Sequence, residues 1–165
     1  MTNFKAGMRQ LTGSVTIVTA GVDSLRAGLT ATAVCSVSVQ PPRLLACLNK
    51  SGTTFGVLQH AGTFCINILA SCDFGLAQRF SVPIDPGSDR FDIGEWILAD
   101  GRAPRLSSAL AAFACEVHSI TMLGSHGLVI GDVVEVFNSA QTPPLLYHDG
   151  SFATISTNSD MVIKA

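Results

Sequence analysis

Charge is scarce in this sequence. Asp, Glu, Lys and Arg make up only 13% of its 165 residues, about half the share usual for a soluble domain. So little charge on a lone domain leaves apolar surface in water, and we expect a second copy of the chain to cover it, as a homodimer. The ten Lys and Arg are dispersed and the net charge is −2, which argues against a nucleic-acid partner because a phosphate backbone demands a basic stripe. No run of 18 apolar residues occurs, and Met1–Lys5 leads into mixed residues instead of an apolar signal core. The expectation is therefore a cytoplasmic chain with no membrane partner. Cysteines stand at 35, 47, 65, 72 and 115, odd in number and nowhere spaced Cys-x-x-Cys. Neither a disulfide framework nor a zinc site is expected, and we read the five as buried, reduced thiols. Linkers, internal repeats and low-complexity tracts are missing too, so residues 1–165 read as one domain.

What is present is a succession of short periodic segments. The spacing of Phe4, Met8 and Leu11 predicts a short helix ended by Thr12-Gly13. Val15–Thr19 alternates β-branched residues and reads as a strand. Gly28–Val39, rich in Thr, Ala, Ser and Val, reads as one strand halted at Pro41-Pro42, because a proline keeps the residue before it out of helical space. The apolar run Leu44–Leu48 suits a strand buried on both faces. Thr53 or Thr54 is expected to cap a helix reaching about His60, and Thr63–Leu69 to form a strand. Phe74–Phe80 reads as a helix stopped before Pro83, and residues 81–105 as a long irregular connection. Ala111–Met122, Gly127–Phe137, Leu145–His148 and Ser151–Ile155 follow as closely spaced strands, the last two joined at Asp149-Gly150. Parallel strands need long crossovers, usually helical, so this pattern predicts a mainly β fold with short helices, closed as an antiparallel barrel.

Some polar segments have two readings each. Thr30-Ala31-Thr32-Ala33 offers backbone N–H groups behind short side chains, and equally suits a barrel strand packed on a helix. Asn49-Lys50-Ser51 with Thr53 and Thr54 supplies a cation, hydroxyls and a helix N-terminus, a set that suits a phosphate dianion and also a solvated capping turn. Glu116, His118 and Glu135 alternate with apolar neighbours, which places them on a solvated barrel face; no metal is expected.

Four blocks share a family-like order and spacing. They are Gly28-Leu-Thr-Ala-Thr-Ala33 with Ser36-Val-Ser38 and Pro41-Pro42; Cys47-Leu-Asn-Lys-Ser51; Arg79-Phe80; and Gly124-Ser-His126 with Gly131, followed by Pro144-Leu-Leu-Tyr-His148. Through them the chain, from about Phe4 to Ile155, resembles the short-chain flavin reductases, the reductase components of two-component flavin monooxygenases. The resemblance implies a homodimeric FMN-binding split β-barrel. It implies FMN or FAD as the flavin, NADH or NADPH as hydride donor, and reduced flavin handed to a flavin-dependent monooxygenase. Thr30, Ala31, Thr32 and Ala33 would then line the edge of the ring where negative charge gathers on reduction. Cys47, Leu48, Asn49, Lys50, Ser51 and Thr53 would hold the ribityl chain and phosphate. Arg79 and Phe80 would sit at the phosphate end or the adenine, although Arg79 at a helix end also has a structural reason.

His126 would line the nicotinamide side as the catalytic residue, orienting the ring instead of donating a proton. His148 would face the partner's flavin site or pin the last hairpin. Two positions depart from the family pattern: Ala33 replaces Ser, which removes a hydroxyl from the ring site, and Ser125 replaces Asp, which removes the expected holder of His126. These departures leave room for two other readings: a tightly held flavin reducing a corrinoid or ferric chelate, or a flavin-binding dimer without turnover. No Arg cluster in the sequence marks a 2′-phosphate site, which favours NADH.

Overall fold

The computed structural model describes residues 2–83, 88–99, 101–139 and 142–155. Residues 84–87 and 100 of the long connection lie outside them. In chain order the elements are α1 (Thr2–Arg9), β1 (Gly13–Ser14), β2 (Thr16–Ala20), β3 (Ala27–Ala31), β4 (Val34–Val39), β5 (Pro42–Asn49), α2 (Thr53–Ala61), β6 (Thr63–Ile68), α3 (Phe74–Ser81), β7 (Trp96–Ile97), β8 (Arg105–Leu106), β9 (Ala111–Leu123), β10 (His126–Asn138), β11 (Leu145–His148) and β12 (Ser151–Thr154).

Seven strands pair in the order β3-β2-β6-β9-β10-β5-β4, every neighbour antiparallel. The two strands at the ends of this row are consecutive in the chain, so the row curls into a barrel. That closure corrects the expected single strand over Gly28–Val39. One straight strand cannot belong to both ends of the row, and the chain turns a corner at Thr32-Ala33. There the Val34 N–H donates to the Thr32 carbonyl (3.0 Å) and the Cys47 N–H to the Ala33 carbonyl (2.9 Å). A second, three-stranded sheet in the order β1-β11-β12 stands beside the barrel. Its hairpin turns at Asp149-Gly150, both with positive φ (45° and 82°), the primed turn that an Asp-Gly pair favours.

The barrel interior is filled by Val18, Ala46, Leu48, Phe64, Ile66 and Val129, and α2 adds Phe55 and Leu58 to it. Gly127 and Gly131 are needed there. A Cβ at either would come within 2.4 Å of a ring, Phe55 for Gly127 and Phe64 for Gly131. On the outside of β2 and β6, Ile17 and Cys65 pack under Leu69, Leu76, Phe80, Phe91 and Leu106. Buried Asn67 fastens this cover: its Nδ2 donates to the Ile17 carbonyl (3.0 Å) and its Oδ1 accepts from the Leu106 N–H (2.8 Å). Strand β2 is therefore buried along its whole length.

β5 was the strand expected to be buried on both faces, and it is not. Ala46 and Leu48 point inward and are buried, whereas Leu45 and Cys47 are only half-buried, because nothing among the described residues crosses β5 as α3 crosses β3. The thiols divide in the same way. Cys65 and Cys115 are buried, and burial pushes both up to about 12. Cys35 on β4 and Cys72 before α3 are exposed, a correction to five buried thiols. Among the described residues, no helix is long and apolar enough to cross a membrane.

Candidate active site

The site begins where β5 ends. Asn49 stands opposite His126, the first residue of β10, in the β5–β10 register. Past Asn49 the chain turns sharply: the Asn49 Oδ1 accepts from the Ser51 N–H (3.0 Å) and from the Ser51 hydroxyl (2.9 Å), and the Gly52 N–H donates to the Asn49 carbonyl (3.2 Å). Helix α2 starts at once. Its N-cap is Gly52 and carries no side-chain cap, which corrects the expectation that Thr53 or Thr54 serves in that role. An uncapped helix start leaves its first amide N–H groups for another acceptor and favours an anion.

The β9–β10 hairpin is tied to this turn, since the Lys50 N–H donates to the Ser125 carbonyl (3.1 Å). Gly124, at φ +55°, makes the hairpin's own turn. Beside it the Ser125 Oγ lies 2.8 Å from the His126 Nδ1. The missing Asp was expected to leave the ring unheld, but the serine hydroxyl holds it.

A polar cavity of about 750 Å³ opens next to the turn. Asn49, Ser51, Thr53 and Thr54 form one wall, and Gly28, Phe80, Arg26 and Arg90 contribute others. Gly28 has a packing reason, as a Cβ there would meet the Phe80 ring at 2.7 Å. Three arginines far apart in sequence converge at this corner, although the sequence suggested no cluster. Arg26 pairs with Asp89 (2.7 Å), Arg79 donates to the Asp89 carbonyl (2.9 Å), and Arg90 donates to the Arg79 carbonyl. Among the described residues, the Arg79 Nε is buried without a partner. Arg26 holds the Asp89 carboxyl below its ordinary range, the Phe91 N–H adding to the effect, while burial and the charge of Arg79 hold Arg90 below the usual arginine range. A nucleotide phosphate suits this donor-rich corner.

Thr32 and Ala33 lie elsewhere, on an apolar cavity of about 950 Å³ between α1 and the barrel. Its walls include Phe4, Met8, Leu44, Ile66 and Phe113. The helix expected from Phe4, Met8 and Leu11 exists but ends at Arg9, before Leu11, and those three side chains overhang this cavity while remaining exposed.

Other expected site residues are partly committed to structure. The Thr30 hydroxyl donates to the Ala77 carbonyl (2.7 Å), and Ala31 packs toward the barrel core. Leu48 is 1% exposed, so only its backbone can meet a ligand. Phe80 is buried against Phe91 and Trp96. His148 lies in β11, where its Nδ1 is 2.8 Å from the Thr12 hydroxyl, and it lines neither cavity. His118, Glu116 and Glu135 are exposed on the long strands β9 and β10. Among the described residues, no three His, Cys, Asp or Glu side chains gather as a metal site.

An antiparallel barrel with a phosphate-suited turn at a strand end, a cavity beside it and a histidine across from it fits a small flavin-binding barrel. The chain belongs to the flavin reductase like domain family, whose model matches residues 8–156. It is 35% identical over 154 residues, 92% of this chain and 75% of the relative, to FMN reductase (NADH) RutF 1 of Methylorubrum extorquens. It is 36% identical over 156 residues, 93% and 87% of the two chains, to the reductase component of the FADH(2)-dependent resorcinol hydroxylase of a Rhizobium species. The crystal structure of a flavin reductase homologue from Haemophilus somnus superposes with a TM-score of 0.88 at 30% identity, over 94% of this chain and 99% of that one.

Proposed function

We propose that the chain is an NADH:flavin oxidoreductase that binds FMN or FAD, reduces it with NADH and releases it to a partner monooxygenase. The observation that carries this reading is the register that sets His126 across from Asn49. It brings the candidate nicotinamide-orienting ring to the strand end from which the phosphate turn departs. A bound flavin supplies the acceptor for the hydride of NADH. The chain's own work is to bind and to orient. Ser51, Thr53 and the start of α2 hold the phosphate, and Lys50 adds a cation. His126 orients the nicotinamide, and Ser125 fixes His126.

Asn49, Lys50, Ser51 and Thr53 are all exposed, which suits a flavin that must leave. The apolar outer face of β5 and β10 supports a homodimer, in which His148 would face the partner's site or pin its own hairpin. The cytoplasm is the proposed setting, and residues 1–165 the single working domain.

Steady-state NADH oxidation with added FMN, FAD and riboflavin tests the reading. Turnover is expected with at least one of them, and no NADH consumption with any would sink it. His126→Ala should raise the KM for NADH about tenfold, the worth of one good orienting contact, while the KM for flavin stays within about twofold.

A further inference from the structure

The polar cavity holds two separate groups of phosphate donors. One is the turn into α2, with Ser51, Thr53 and the uncapped helix start. The other is the guanidinium corner, where Arg26 and Arg90 line the cavity and Arg79 lies behind them. A single phosphate monoester needs only one such group. Among the described residues, the corner sets three guanidiniums against the Asp89 carboxylate. The charge of Arg79 adds to the burial that holds Arg90 below the usual arginine range, and among the described residues the Arg79 Nε is buried with nothing to donate to. Three guanidiniums against one carboxylate leave an excess of positive charge at the cavity wall, which favours an anionic ligand there. Neither arginine is crowded out by packing: the Arg26 guanidinium carbon lies over the Phe91 ring, 4.9 Å from its centroid, and both arginines remain partly exposed.

We propose that Arg26 and Arg90 form a second phosphate site that takes the adenosine-side phosphate of FAD, so that this chain selects the dinucleotide flavin over FMN. The proposal rests on the flavin reductase reading and names the substrate that reading leaves open. FMN engages the α2 turn alone; FAD spans from that turn to the arginine corner. Each guanidinium–phosphate contact of this kind is a charge-assisted hydrogen bond, fixed in direction by the planar fork.

Flavin-fluorescence titration of the purified chain with FMN and with FAD gives the test. The wild type should bind FAD at least about tenfold more tightly than FMN, and Arg90→Gln or Arg26→Gln should weaken FAD about tenfold while FMN stays within about twofold. FMN binding is thus the control for an intact fold. The wild-type ratio stands as evidence by itself should either variant prove unstable. Equal wild-type affinities for the two flavins overturn the proposal and leave the reductase reading standing. Variants that alter the preference for NADPH over NADH, and not FAD binding, overturn it as well. Absence of binding to either flavin removes the reductase reading itself.

Discussion

The barrel has two outer faces, and only one is sealed within the chain. Over β2 and β6, α3 and the segment through Phe91 and Leu106 lie close, Asn67 and Thr19 bond across to Leu106 and Pro104, and Ile17 is fully buried. Over β5 and β10, Leu45, Cys47, Leu128 and Ile130 point outward half-buried, bordered by the Arg43–Asp132–His118 network. Both faces use the same residue types. The difference lies in what the chain lays over them among the described residues, so half-buried apolar side chains remain on the bare face.

Breaking the sealed face should cost most. Phe80→Ala removes a ring packed against Phe91, Trp96 and Gly28, and is expected to cost about 3–5 kcal/mol, read as a lower urea midpoint. On the bare face, Leu45→Ser should cost the isolated fold about 1 kcal/mol or less, but convert a dimer to monomer in sedimentation velocity. A wild type that is already monomeric at micromolar concentration would remove the role assigned to this face.

Each face also has an Arg–Asp pair, and acid distinguishes their contributions. Hydrogen bonding from Arg43, with a smaller effect from His118, holds the Asp132 carboxyl below its ordinary 3.8. A carboxyl depressed on folding contributes stability that is present above its unfolded value and is lost as the pH falls through the folded one. Asp132→Asn should flatten the fall in Tm below about pH 4, and Asp89→Asn should act in the same direction through its partner Arg26. Ser125→Ala is the smallest perturbation. Freeing the His126 ring should raise the KM for NADH about threefold, the worth of one neutral hydrogen bond, without moving Tm by more than about a degree.

Strands were legible in the sequence because their signals are local. Val15–Thr19 announces itself by β-branched alternation, and Thr63–Leu69 and the long pair that became β9 and β10 read as closely spaced strands. The turn Asn49–Ser51 and its link to a helix were equally readable from residue types. The corner at Thr32-Ala33 was not, because it exists only to close a row whose far strands come later in the chain. Nor was the arginine cluster. Positions 26, 79 and 90 carry no common pattern, and the fold alone gathers them around Asp89 beside the cavity. Ser125 was read as a loss because the family comparison counts residue types, whereas the hydroxyl still reaches Nδ1.

Barrel closure also dictates a timetable. Arg43 of β5 meets its partner Asp132 of β10, 89 positions further along the sequence. At a synthesis rate of about 5–20 residues per second, the β4–β5 hairpin waits several seconds on the ribosome before the strand that completes its ladder exists. Throughout that wait its apolar edge is open to any other extended chain. A product terminated before His126 would therefore present the four-stranded sheet β3-β2-β6-β9 and an orphan β4–β5 hairpin instead of a smaller barrel, and its fate would be decided by chaperones and proteases.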